Sequence, residues 1–202
     1  MRAAALLGAV LAGGESRRFG RDKAAEMIAG KTLVERAGET LAEVFEHVVV
    51  VSSHEPLTDR WRHVEDRRVG QGPLAGIEAA LVQAEALGLE GAFILACDLP
   101  LVDASAVRSV LEAGGDAAAC APWRAAHPGI EPLCAVYRVT CLPLVAGALD
   151  EGRRSVHEVF AAARGVVTKV PGNVFLNVNN PADGALAAMT LELHEPSRPP
   201  AE

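Results

Sequence analysis

Gly13 and Gly14 close an apolar run, and four cationic residues follow at Arg17, Arg18, Arg21 and Lys23. Glycine has no Cβ, so its backbone tolerates tight geometry and close approach by a ligand. Successive amide N–H groups in such a loop make an anion-holding concavity. Arg17 and Arg18 can fork onto phosphate oxygens, and Lys23 adds a point charge. The order strand, Gly-Gly, paired arginines, Gly20, Asp22-Lys23 fits neither the Walker phosphate loop nor the G-x-G-x-x-G dinucleotide fingerprint. A charge run in isolation reads as a solvated helix end. Directly after a glycine loop, this one reads as a grip on a small polyanion.

Asp98 is the second candidate. It follows the apolar run Ala92-Phe93-Ile94-Leu95-Ala96 and precedes Leu99-Pro100. A desolvated carboxylate needs a partner, and magnesium, held by one or two carboxylates plus substrate phosphates, is a suitable one. Helix capping is the competing role, and Asp103 is better placed for it. Asn177 and Asn179 form a third candidate. On a strand they would share a side, where their amides can meet a metal-bound water, a phosphate or a sugar; turn and cap chemistry at Asn180-Pro181 is the alternative. Gly70 to Gly76 and Asp66 are weaker candidates, the glycine segment being nearly as well explained as a plain strand-to-helix connection. His47, His54 and His63 lack metal-ligand spacing. His127 reads as a loop residue, and Trp61 and Trp123 read as packing residues. No serine or cysteine shows a hydrolase signature.

These residues need a frame to bring them together. Residues 4–12 read as a strand covered on both faces, followed after the loop by a helix from about Thr32 to Phe45. Val48 to Val51, His63 to Asp66, Ala92 to Ala96, Ala117 to Ala121, Pro132 to Val139, Val166 to Val170 and Val174 to Val178 read as further strands. Helices are expected over Ile77 to Leu87, Ala104 to Ala113, Leu142 to Leu149 and Ser155 to Ala163, with a last one starting at Pro181. This alternation predicts an α/β protein with a mostly parallel sheet and helices on both faces. In such sheets ligands sit at the carboxyl ends of the strands, so Gly13-Gly14, Ser52, Asp66 and Asp98 are expected on one edge.

A chain of 202 residues suits one domain, here residues 1–193, and Pro and charge from His194 to Glu202 predict a disordered tail. The formal charge of −7 argues against a nucleic-acid partner. No apolar run reaches the length of a membrane span, and the first run leads into Gly-Gly-Glu instead of a cleavage site, so the expected compartment is the cytoplasm. Cys97, Cys120, Cys134 and Cys141 show no C-x-x-C spacing and read as buried reduced thiols.

The segment Leu11-Ala12-Gly13-Gly14-Glu15-Ser16-Arg17-Arg18-Phe19-Gly20-Arg21-Asp22-Lys23-Ala24 resembles the signature of the molybdenum cofactor guanylyltransferases, the molybdopterin-guanine dinucleotide biosynthesis protein A family. The usual family form has methionine at the place of Phe19. Gly72-Pro73-Leu74-Ala75-Gly76, Cys97-Asp98-Leu99-Pro100 and Asn177-Val178-Asn179-Asn180-Pro181 match further family segments in order, so the resemblance runs from residue 5 to about 190. It implies a Rossmann-like nucleotidyltransferase fold. It also implies transfer of GMP from GTP to the terminal phosphate of molybdopterin, with magnesium as cofactor and pyrophosphate released. Leu11, Ala12, Gly13 and Gly14 would then meet the nucleotide, Lys23 its phosphates and Asp98 the metal, with Arg17, Lys23 and Asp98 as the catalytic group. Asp66 matches a nucleotide-contacting aspartate, and Ser52 stands where the family often has asparagine. Gly72, Pro73, Asn177 and Asn179 fall on the substrate or metal side. Glu131-Pro132-Leu133 departs from a common His-Pro-Leu. Contact with other molybdenum cofactor biosynthesis proteins is plausible for a pathway enzyme. The alternatives are a cytidylyltransferase for the same cofactor, whose branch typically shows Ala-Ala-Gly at this point, or a sugar-phosphate nucleotidyltransferase. A non-catalytic nucleotide-binding module sits badly with both Lys23 and Asp98.

Overall fold

The computed structural model describes residues 1–13, 23–53, 57–66, 68–125, 129–172 and 174–194, the side chains of Lys23 and His194 excepted. Eight of its strands form one sheet: β1 (Leu6–Leu11), β4 (His47–Ser52), β5 (Arg62–Glu65), β6 (Gly91–Ala96), β7 (Ala119–Arg124), β8 (Gly129–Ile130), β9 (Cys134–Arg138) and β10 (Val166–Thr168). The order is β10-β7-β9-β6-β1-β4-β5, with β8 paired to β7. Strands β2 (Met27–Ile28) and β3 (Lys31–Thr32) make a separate hairpin.

Every residue of β1 and β6 is buried, because helices cover both faces. Alternation sorts the side chains. Leu6, Val10 and Ala12 pack with α1 (Leu33–Ala42), α3 (Ala104–Gly114) and α6 (Pro181–His194). Leu7, Ala9 and Leu11 pack with α2 (Pro73–Ala86), α4 (Leu142–Asp150) and α5 (Val156–Ala162). Helix starts follow their sequence signals. Thr32 and Glu35 form a reciprocal capping box for α1, Asp103 accepts the Ala106 N–H at 2.7 Å to cap α3, and Pro73 opens α2 after Gly72 at φ 76°.

The sheet is mostly parallel, as the alternation predicts, through the pairs β1–β4, β1–β6, β4–β5 and β7–β10. Strand β9 departs from it and runs antiparallel to both β6 and β7. Only β8 and short loops separate β7 from β9, and a connection without a crossover helix returns the chain antiparallel. The expected strand over Val174 to Val178 is not one. That segment joins no ladder, and Val178 N–H donates to Asp98 O at 2.9 Å. Trp61 does pack against the core. Trp123 does not; it is 44% exposed, on the part of β7 that pairs with β8. The four cysteines are buried, and none of them forms a disulfide. Among the described residues no helix is long and apolar enough to cross a membrane.

Candidate active site

After β1 the chain lays β4 and β5 on one flank and then crosses to place β6 on the other. The helices on the two crossovers lie on opposite faces, which opens a crevice at the carboxyl end of β1. Backbone hydrogen bonds stitch the edge of that crevice. Ala12 N–H donates to Val51 O at 2.9 Å, Cys97 N–H to Leu11 O at 3.1 Å, and Asp66 N–H to Ser52 O at 2.9 Å. A Cβ on Gly13 would meet Ser52 Cα at 3.9 Å. Leu11, Ala12, Gly13, Ser52, Asp66 and Asp98 therefore share one edge, although Leu11 and Asp98 are far apart in sequence.

Ser52 is only 2% exposed, and its hydroxyl is 2.9 Å from His63 Nε2. Asp66 accepts the Arg68 N–H at 3.0 Å. Burial pushes its carboxyl above the ordinary aspartate range, Glu78 adds repulsion, and the Arg68 N–H pulls the other way. Arg68 clamps this loop to the helices behind it. It pairs with Glu78 through Nε at 2.6 Å and Nη2 at 3.0 Å, and with Asp150 at 2.7 Å. Gly70 and Gly72 both adopt positive φ, 76° in each case, which is why glycine serves there. Arg154 Nη1 donates to Gly70 O at 3.1 Å from the far side.

Asp98 is half-buried at the end of β6, and its backbone carbonyl holds the 174–180 segment through Val178. That bond brings Asn177 alongside, where it lines a cavity of 370 Å³ with Pro73, Glu131 and Pro132. The backbone of Asn179 serves the following helix. Asn179 is exposed, and its N–H donates to Asp183 Oδ2 at 2.8 Å. Asn180 Oδ1 accepts the Asp183 N–H at 3.0 Å, so the turn completes the cap of α6. With no ladder in this segment, strand alternation does not set the positions of Asn177 and Asn179.

Gly14, Arg17, Arg18, Gly20, Arg21, Asp22, His54, His127 and residues 195–202 lie outside the described residues. Lys23 opens a 3₁₀ turn, Lys23–Ala25. Sequence reasoning missed Arg124, Arg154 and His157 on the cavity wall. It noticed Glu131 only as a departure from a pattern. Glu131 is 6% exposed, faces Arg124 Nη1 at 3.3 Å and feels the charge of Asp98. Among the described residues no three His, Cys, Asp or Glu side chains group into a metal cage. One strand-end carboxylate suits a hard cation that takes most of its ligands from phosphates and water.

Residues 8–166 match the model of the MobA-like NTP transferase domain. A probable molybdenum cofactor guanylyltransferase of Opitutus terrae is 39% identical over 167 residues, 79% of this chain and 80% of that protein. The molybdenum cofactor guanylyltransferase of Desulfosudis oleivorans is 35% identical over 164 residues, 79% of each. The crystal structure of molybdopterin-guanine dinucleotide biosynthesis protein A from Archaeoglobus fulgidus superposes with a TM-score of 0.77 at 26% identity, covering 93% of this chain and 100% of that one.

Proposed function

The chain belongs to the molybdenum cofactor guanylyltransferases, nucleotidyltransferases built on the MobA-like NTP transferase domain, and on that premise we propose that it transfers GMP from GTP to the terminal phosphate of molybdopterin. The observation that carries this reading is the meeting of Gly13, Ser52, Asp66 and Asp98 on one carboxyl edge, with a cavity next to it.

The acceptor phosphate attacks the α-phosphorus of GTP, the α–β bridging P–O bond breaks, and pyrophosphate leaves with the electron pair. The nucleophile is already an anion, so no strong general base is needed. Positioning and charge neutralisation do the work. Leu11, Ala12, Gly13 and Gly14 receive the nucleotide, with Ser52 and Asp66 on its flank. Lys23 and Arg17 neutralise the leaving pyrophosphate. Gly72, Pro73 and Asn177 border the acceptor side. Asn179 belongs to the same substrate group by sequence, although its backbone serves the α6 cap. Asp98 is the residue to hold magnesium, which when bound neutralises charge on substrate oxygens.

The test is pyrophosphate release from GTP with molybdopterin as acceptor, with and without magnesium, and with CTP in competition. GTP-specific, magnesium-dependent release supports the proposal. Preference for CTP would make the chain a cytidylyltransferase for the same cofactor.

A further inference from the structure

Glu131 and Ser52 are the polar or charged residues found buried among the described residues. Ser52 has a close partner in His63. Glu131 does not. Arg124 Nη1 is 3.3 Å from its Oε2, and the Leu133 N–H is 3.4 Å from its Oε1. Charge-assisted bonds to a carboxylate are normally near 2.7–2.9 Å, so both contacts are long. Arg124 is under-satisfied as well, since its buried Nε has no hydrogen-bond partner. Burial pushes the Glu131 carboxyl above the ordinary glutamate range despite Arg124, the Leu133 N–H and the charge of His157, and Asp98 repels it. A buried carboxylate held this loosely costs stability. Glu131 helps to line the 370 Å³ cavity.

A ligand completes the site if it offers two adjacent N–H donors to fork onto the carboxylate. A fused 2-amino-4-oxopyrimidine ring has that edge, a ring N–H beside an exocyclic amino group. Pro73, Pro132, Leu133 and Val156 give the cavity apolar walls for the faces of a flat ring. Arg154, also on the wall, suits an anionic substituent. We propose that Glu131 is a specificity-determining residue whose carboxylate accepts the paired N–H donors of a 2-amino-4-oxopyrimidine ring bound in this cavity. The inference rests on the proposed transfer reaction, in which GTP and the pterin acceptor both carry that edge.

The test compares two ligand pairs by calorimetric titration with magnesium present. One pair is GTP and inosine triphosphate. The other is pterin-6-ylmethyl phosphate and its counterpart lacking the 2-amino group. Wild type should prefer the amino ring by roughly tenfold or more in one pair, and Glu131→Gln should bring that preference to within about threefold. The pair that changes identifies the ring's source. Glu131→Asp keeps a carboxylate and should retain part of the preference. Pyrophosphate release by wild type is measured in parallel. If release occurs but wild type shows no amino preference in either pair, the role of Glu131 is refuted while the reaction stands; that measurement needs no variant to fold. A preference that survives Glu131→Gln also overturns the proposal.

Discussion

At the residue scale, Asp98 does two separable jobs. Its backbone carbonyl accepts the Val178 N–H at 2.9 Å, whereas its side chain carries the metal role proposed above. Asp98→Asn keeps the backbone bond and removes the charge. Turnover should fall by roughly a hundredfold or more, while the melting temperature stays near wild type. Wild-type turnover in that variant would refute the metal assignment. Asp66 carries a different signature. Its folded-state pKa is raised, mainly by burial. A raised acid contributes its stability below its unfolded pKa and loses it as pH rises through the folded value. Asp66→Asn should therefore be at least as stable as wild type at pH 7, and that advantage should shrink as pH falls toward the ordinary aspartate range. Urea titrations at several pH values read this directly. An Asp66→Asn advantage that grows on acidification would contradict it.

At the element scale, the seating of β5 depends on α1. A Cβ on Gly38 would lie 2.6 Å from the ring of Trp61, the residue just before β5, and the Arg60 guanidinium stacks on the same ring at 4.9 Å. Alanine gains about 1 kcal/mol of helix propensity over glycine. Overpacking costs about 1–3 kcal/mol, and a rigid indole yields poorly. Gly38→Ala should lower the melting temperature by several degrees and shift the Trp61 emission. A stabilised variant with unchanged emission would mean that the ring does not lie on this helix. Much of this scale was legible in the sequence, because local signals carry it. The apolar runs of β1 and β6 act within a few residues; the Thr32–Glu35 cap is equally local but went unread, and the helix expected from Ile77 begins four residues earlier, at Pro73. The direction of β9 was not legible, since an apolar run has no sense and only the chain around it sets one. Val174 to Val178 misled for a related reason: β-branched residues favour extended backbone, but a ladder needs a neighbour with open hydrogen bonds. Glu131 gave no local sign of burial, because its partner Arg124 lies across the β7–β8 hairpin.

At the scale of the whole molecule, the site belongs to no single element. Its edge is assembled from residues between Leu11 and Asn177, held by a sheet with helices on both faces. The unfolded chain cannot reproduce that arrangement, so a nucleotide that uses it binds the native state alone and stabilises all of it. At a hundredfold excess over Kd the linkage is about 2.7 kcal/mol. For a protein of this size that corresponds to a rise of roughly 5–10 °C in melting temperature. The chain carries a net charge of −7, so its attraction for a triphosphate must come from the local cations Arg17, Arg18, Arg21 and Lys23 and from a bound metal. Both are charge effects: the contribution of the cations is screened by salt, and the metal's contribution disappears without the metal. GTP should therefore raise the melting temperature substantially with magnesium and much less without it, and added salt should shrink the shift. In Asp98→Asn the magnesium-dependent part should vanish while a cation-dependent remainder persists. An equal shift in wild type and variant, with and without magnesium, would show that the nucleotide is gripped without a divalent ion at Asp98.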